Sequence, residues 1–313
     1  MNKIAFGPVP SRRLGRSIGI NNIFPKYCSY FCIYCQIGKT DNWQIKRQKF
    51  YDPQEIFKSL KQKIRETKRK KEKINYITFV SDGEPTLDIN LGKEIELLKS
   101  LKINIAVITN SSLIWDKKVQ EDLLKADCVS IKIDAIDEKI WKKINRPYKQ
   151  LKLKKILSGI KDFTKKYQGI LLTETMLIKN INDNNKELEN IADFIKELKS
   201  NKSYISIPIR PPSEKFALPP TEFVINKVFN IFKKNNIDTE LLTGYEGNAF
   251  SSTGKAEDDI LSITSVHPMR QDAVNNFLLK NKKDWKLIQK LIKQKKLVET
   301  NYKGKKFYLR KIT

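Results

Sequence analysis

The sequence predicts an α/β fold: a partial (β/α)6 TIM-like barrel followed by a small C-terminal winged-helix domain. Three observations predict it. Short apolar runs alternate with amphipathic stretches six times before residue 240, the pattern of parallel strands joined by crossover helices. Six such units are too few to close an eight-stranded ring, so the barrel is open. Past residue 256 the pattern changes to three short helices and a hairpin.

The strands are expected at 17–24, 76–80, 103–109, 129–133, 171–178 and 204–209. The helices are expected at 53–68, 92–101, 117–125, 151–166, 185–199 and 221–234. A barrel of this kind works at the C-terminal ends of its strands, and the polar motifs fall there. A cysteine-rich loop follows the first strand, Asp82-Gly83-Glu84-Pro85-Thr86 the second, and Thr109-Asn110-Ser111 the third. The barrel is assigned to 1–240. A linker over 241–256 holds the turn-rich Gly244-Tyr-Glu-Gly247 and Ser251-Ser-Thr-Gly254. The winged-helix domain is assigned to 257–313, with helices at 257–263, 268–279 (Pro268 in its first turn) and 284–294. Its hairpin pairs 297–300 with 305–310.

The cysteine loop reads Cys28-Ser-Tyr-Phe-Cys32-Ile-Tyr-Cys35. It offers three thiolates and no fourth ligand. A structural zinc site closes a tetrahedron with four ligands. The remaining candidates are remote: Cys128 lies in the apolar run 126–133, which reads as a buried strand, and His267 precedes Pro268 at a helix start. A chain of 313 residues needs no disulfide framework. Three thiolates do suit a [4Fe–4S] cluster, held at three irons with the fourth open to a small molecule.

That spacing, with Tyr34 just before the last cysteine, resembles the cluster loop of the radical S-adenosyl-L-methionine (SAM) enzymes. The resemblance implies that the open iron chelates the amino and carboxylate groups of SAM. One-electron reduction then releases methionine and a 5′-deoxyadenosyl radical, which takes hydrogen from a substrate. It also implies SAM contacts. The turn Asp82-Gly83-Glu84 stands where the family binds the amino group, with Asp82 replacing a glycine. Thr109, Asn110 and Ser111 suit the carboxylate and ribose; at the end of the fourth strand Lys132 suits a carboxylate and Asp134 the ribose hydroxyls, and Arg210 suits an anionic substrate or SAM. Tyr34 is expected beside adenine, as is the turn Asn180-Ile-Asn-Asp183.

Further motifs narrow the likeness. Phe6-Gly-Pro-Val-Pro-Ser11-Arg-Arg-Leu-Gly15-Arg-Ser, Gly83-Glu-Pro-Thr-Leu87 and Ile144-Asn-Arg-Pro147 resemble a group of small prokaryotic radical SAM proteins of undefined substrate. That group is related in its barrel to the radical enzyme that builds wybutosine in tRNA. That enzyme carries a second cluster, for which this chain has no cysteines. Arg12, Arg13 and Arg16 are read either as lining an anionic substrate or as surface charge.

The formal charge is +26, from 61 basic and 35 acidic residues. Residues 257–313 hold 14 basic and 6 acidic residues, +8 over 57 positions, against 47 − 29 = +18 over the preceding 256. The tail is about twice as basic per residue, which points it at a polyanion. Lys286, Lys290 and Lys293 share a helix face, and Lys303, Lys305 and Lys306 lie in the wing. Both sets suit phosphate contacts, and a winged helix equally serves as a protein-docking module. Neither a secretion signal nor a membrane span is expected, and reduced thiols fit the cytoplasm. The expected activity is radical SAM chemistry, with RNA (tRNA) the favoured substrate and a ferredoxin or flavodoxin as reductant. The alternatives are a peptide or metabolite substrate, or a non-catalytic regulator that senses redox state or SAM and binds DNA.

Overall fold

The computed structural model describes residues 4–244, 250, 255–266 and 268–311. His267 and most of the expected linker lie outside them. All six expected strands form, as β2 (Gly15–Ile20), β5 (Tyr76–Phe79), β6 (Asn104–Thr109), β7 (Cys128–Lys132), β8 (Ile170–Met176) and β9 (Lys202–Ser206). Two more join them. β1 (Ala5–Ser11) pairs antiparallel with β2, and β10 (Thr239–Leu242) pairs parallel with β9. The sheet order is β1-β2-β5-β6-β7-β8-β9-β10, parallel from β2 onward. Two short strands, β3 (Tyr27–Cys28) and β4 (Asn42–Trp43), form a separate parallel ribbon. β1 carries Pro8 and Pro10 and a register break between Phe6 and Val9. Proline removes a ladder donor, so such a strand belongs at a sheet edge.

The crossover helices are α1 (Pro53–Arg69), α2 (Leu91–Lys99), α3 (Lys117–Leu123), α4 (Glu138–Asn145), α5 (Leu153–Thr164), α6 (Asn185–Leu198) and α7 (Glu222–Lys234). Five start on a side-chain cap, from Asp52, Asp116, Asp137, Asn184 and Thr221, which each accept from a first-turn amide. α4 was not among the expected helices. It begins at Asp137 and buries Trp141 and Ile144 against the barrel core.

The arginines of the opening motif hold the sheet in its curl. Arg12, in the turn after β1, donates to the carbonyls of Leu241 (3.2 Å) and Gly244 at the far edge. Arg13 pairs with Glu174 of β8, and Arg16 with Glu72 (2.7 Å). Leu14 packs with Ala106, Cys128, Leu172, Tyr204 and Leu242, filling the lumen around the strand starts. Cys128 is thus a fully buried core residue, as its apolar run suggested.

The tail runs α8 (Ala256–Val266), β11 (Met269–Arg270), α9 (Gln271–Lys280), α10 (Lys286–Lys293), β12 (Leu297–Tyr302) and β13 (Lys305–Arg310). Its sheet order is β11-β13-β12, so the expected hairpin gains a third strand. The helix expected from Pro268 starts at Gln271 instead, because buried Met269 pairs with Tyr308 and keeps the backbone extended. Its own core includes Ile260, Met269, Phe277, Ile288, Leu291 and Tyr308. Contacts among the described residues fix it to the barrel. Val9 packs on this core, Lys63 of α1 meets Asp259 of α8 at 3.6 Å, and the Tyr302 hydroxyl donates to the Pro208 carbonyl at 3.0 Å.

Lys63 and Asp259 are both buried, so removing one of them leaves a buried charge unbalanced. Asp259→Ala is expected to cost about 3–5 kcal/mol. Lys63→Met with Asp259→Leu is expected to lie near wild type, and urea unfolding of the two variants measures the contrast.

Candidate functional site

The cysteine loop leaves the sheet after β2 and is held by segments distant in sequence. The amides of Phe31 and Ile33 donate to the carbonyls of Asn145 and Ile144 (both 3.0 Å), at the end of α4. The Tyr148 amide donates to Ser29 (2.9 Å), and that of Cys35 closes a turn onto Cys32 (3.1 Å). From beyond β9, the Ser213 hydroxyl donates to the carbonyls of Cys32 (3.0 Å) and Ile33 (2.9 Å), and the Glu214 amide also reaches Ile33. Arg146 ends α4 at φ 43° and clamps Glu214 at 2.6 Å. The motif Ile144-Asn-Arg-Pro147 is therefore a cradle for the loop.

The turn 82–86 is the second support. The Lys26 amide donates to the Asp82 carbonyl (2.6 Å) and the Glu84 amide to that of Tyr27 (3.0 Å). A Cβ at Gly83 would sit 1.9 Å from the Tyr27 carbonyl oxygen, so only glycine allows this approach. Glu84 is buried and fully used: it accepts from the hydroxyls of Thr86 and Thr109 (both 2.6 Å) and the amides of Thr86 (3.1 Å) and Asn110 (2.7 Å). Asp82 is different. Its Oδ2 accepts weakly from Asn21 at 3.4 Å, while Oδ1 is buried with no hydrogen-bond partner among the described residues. Burial pushes this carboxyl up to about 7, with Arg310 pulling it back.

Two asparagines aim at the thiols. Asn110 Nδ2 donates to Cys28 Sγ (3.5 Å) and Ser29 Oγ (3.1 Å). Asn145 Nδ2 donates to Cys32 Sγ (3.4 Å) and Asp134 Oδ2 (2.8 Å). The Tyr34 hydroxyl also donates to Asp134, whose Oδ1 accepts from the Met176 amide (2.9 Å). Lys132 lies 4.9 Å from the Tyr34 ring centre and pairs with Glu174 at 3.1 Å. Burial alone would raise Glu174, but Arg13 and then Lys132 outweigh it and hold the group at about 2. Ser111, at φ 66°, accepts from the Lys132 amide, and Arg210 donates to Gln36 at 3.2 Å. Asn182 of the adenine-side turn is buried and donates to the carbonyls of Asp134 and Met176 (both 2.8 Å).

All the expected site residues thus gather around one mouth. Tyr34, Glu84, Thr109, Ser111 and Asp134 spend their polar atoms on each other and on the backbone. Asn145, Asn21, Glu174 and Arg310 were not anticipated. Asn145 carries a signal in the sequence, its place in the motif Ile144-Asn-Arg-Pro147.

A cavity of about 170 Å³ is lined by Cys28, Cys32 and Cys35, by residues 36–40, and by 80–83. Its donor set fits an iron–sulfur cluster. No group of three or more His, Cys, Asp or Glu among the described residues is placed to hold a single metal ion. A cubane needs no such convergence, since it spreads its ligands over separate irons. Burial, then Cys32 and Glu84, pushes the Cys28 thiol well up, and burial with Asp134 pushes Cys32 to about 12. Metal binding at this wall must therefore displace protons.

A curled parallel sheet with three thiols at its C-terminal mouth defines a half-barrel built around a thiol-held cofactor. The chain belongs to the radical SAM superfamily, whose pattern matches residues 22–195, and whose members use a [4Fe–4S] cluster and SAM. It is 51% identical over 313 residues to the UPF0026 protein MJ1312 of Methanocaldococcus jannaschii, spanning 99% of this chain and 96% of that one. It is 27% identical over 240 residues to a probable dual-specificity RNA methyltransferase RlmN of Endomicrobium trichonymphae, covering 73% and 65% of the two chains. The fold is also that of TYW1 with a lysine–pyruvate adduct bound, at TM-score 0.55 and 20% identity over 70% of this chain and 73% of that one.

Gly83→Ala is expected to force the turn off the cysteine loop, at about 1–3 kcal/mol of local strain. Circular dichroism should be unchanged while iron retained after reconstitution falls. Full iron retention would show that the close approach to Tyr27 is dispensable.

Proposed function

We propose that Cys28, Cys32 and Cys35 ligate three irons of a [4Fe–4S] cluster and that SAM binds beside it, over the turn 82–84, for hydrogen abstraction from RNA. The convergence of three thiols on one cavity, with the buried Asp82 in its lining, carries this reading. A cluster held there by Cys28, Cys32 and Cys35 would, when reduced, supply the electron for reductive cleavage of SAM. Asp82 Oδ1 and the backbone at Gly83 suit the amino group of SAM, since a buried carboxylate seeks a cation. Asn110 suits its carboxylate. Glu84, Thr109 and Ser111 brace those contacts, and Tyr34, Lys132 and Asp134 wall the ribose and adenine. Arg210 stands at the outer end. Asn110 and Asn145, as donors to thiolate sulfur, tune the potential.

RNA is favoured by the rim. Trp43, on the ribbon that carries Cys28, is 44% exposed, and Phe24 on the other flank is 41% exposed. Lys39, Lys46 and Lys49 are exposed along the same segment. Aromatic faces set among cations hold unpaired nucleotides. The order helix, strand, two helices and hairpin suits a winged helix, and Lys286 and Lys293 on α10 are exposed, while Lys290 pairs with Glu257 at 3.0 Å. The RlmN relative, an RNA methyltransferase by name, points the same way. We assign the reductant to a ferredoxin or flavodoxin and the setting to the cytoplasm. No helix among the described residues is long and apolar enough to cross a membrane.

The test is 5′-deoxyadenosine release by the reconstituted, reduced protein, with and without bulk tRNA under anaerobic conditions. An RNA-dependent rise that vanishes in Cys32→Ala is expected. Release indifferent to RNA would shift the substrate to a peptide or metabolite, and bound SAM without release would make the protein a sensor. Changing both Lys286 and Lys293 to Glu is expected to weaken tRNA binding and to flatten its log–log salt dependence by about 0.7–0.9 per lost phosphate contact. An unchanged slope would assign α10 to protein docking.

A further inference from the structure

We infer that the C-terminal sheet is the outer wall of the substrate site, and that a second cavity between it and the cysteine loop binds a nucleotide unit by its phosphate. This cavity, of about 300 Å³, adjoins Cys35–Gly38 and Pro211–Pro212 on the barrel, and Thr300 and Arg310 on the tail. That volume is at the low end of the range for small-ligand sites, about 300–1,000 Å³.

Four observations support the assignment. The segment 35–38 lines both cavities, so it is a shared partition. Gly38 in that partition sits at φ 85°, and a Cβ there would meet nothing within 4 Å, so open space lies beside it. The tail is not a loose arm, because Tyr302 ties its hairpin to Pro208 and the Lys63–Asp259 pair ties α8 to α1. The lining also has a chemical bias. Among the described residues that line the cavity, Arg310 is the one charged side chain; Thr300 adds a hydroxyl, and Pro211, Pro212, Val298 and Leu309 add apolar faces.

Such a lining fits an anion carried on a flat, partly apolar body. A guanidinium recognises phosphate through paired N–H donors, and a base packs on an apolar face. Arg310 also acts electrostatically on Asp82, so its charge lies within reach of both cavities. A nucleotide seated here would have its phosphate on Arg310 and its base or ribose turned toward the partition.

The inference rests on the RNA reading, and the test separates the two. In the cluster-loaded Thr300→Cys protein, mass spectrometry follows iodoacetamide alkylation of residue 300. The cluster protects Cys28, Cys32 and Cys35, and Cys128 is fully buried. An equimolar mixture of the four nucleoside 5′-monophosphates, at ten times the measured Kd, is expected to slow alkylation about tenfold. The four unphosphorylated nucleosides should not, and Arg310→Gln in the same background should abolish the protection. An alkylation rate indifferent to the monophosphates, or protection that survives Arg310→Gln, overturns the inference. Gel retardation of bulk tRNA by the same sample reports on the RNA reading: retardation without protection leaves RNA binding intact and removes the cavity, and protection without retardation does the reverse.

Discussion

The cysteine loop cannot hold its own shape; its backbone is answered by three other strand-end segments. Its regular structure is two residues of ribbon and one turn. Amides and carbonyls of residues 27, 29 and 31–33 are paired instead with the turn 82–84, the end of α4 and the residues just after it, and the segment 213–214. Buried backbone groups left unpaired are expensive, so these bonds decide where the thiols stand. The segments that supply them follow β5, β7 and β9 respectively. The barrel therefore works as a frame that brings distant strand ends to one loop, and the glycine at 83 allows the closest of those approaches.

Around that frame the polar strand ends form a nearly closed network. Glu84 joins the β5 turn to the end of β6, and Asp134 joins β7 to β8, Tyr34 and Asn145. A buried network that is fully satisfied is rigid, and a member left over is conspicuous. Asp82 is that member. One of its oxygens has no partner among the described residues, and the residue lines the cavity that the thiols share. The lumen beneath is plugged by Leu14 and by the pairing of Arg13 and Lys132 with Glu174, which leaves the mouth as the working face.

Much of this was legible in the sequence. The six apolar runs became six neighbouring parallel strands, and the C-x3-C-x2-C spacing located the loop that lines the cavity. What was missed has physical reasons. β1 carries two prolines and a bulge that break its period, and β10 is four residues long. α4 is eight residues long, although Asp137 and the spacing of Ile140, Trp141 and Ile144 marked it. The arginines of the opening motif suggest substrate or surface; Arg12 is exposed, and all three are engaged with the far sheet edge, Glu174 or Glu72. Polar residues at strand ends read alike whether they face a ligand or another segment. Thr109 and Asp134 illustrate this, since their partners lie 25 and 100 residues away. Arg310 carried no signal at all, because its role depends on the tail folding back onto Pro208.

In the proposed site three thiols leave one iron open, and SAM takes it. Electron paramagnetic resonance of the reduced, reconstituted protein, recorded before and after SAM is added, tests this most directly. A changed g-tensor on addition of SAM is the expected result, since a ligand has then entered the iron's coordination shell. An identical spectrum, with SAM shown to be bound by equilibrium dialysis, would contradict it.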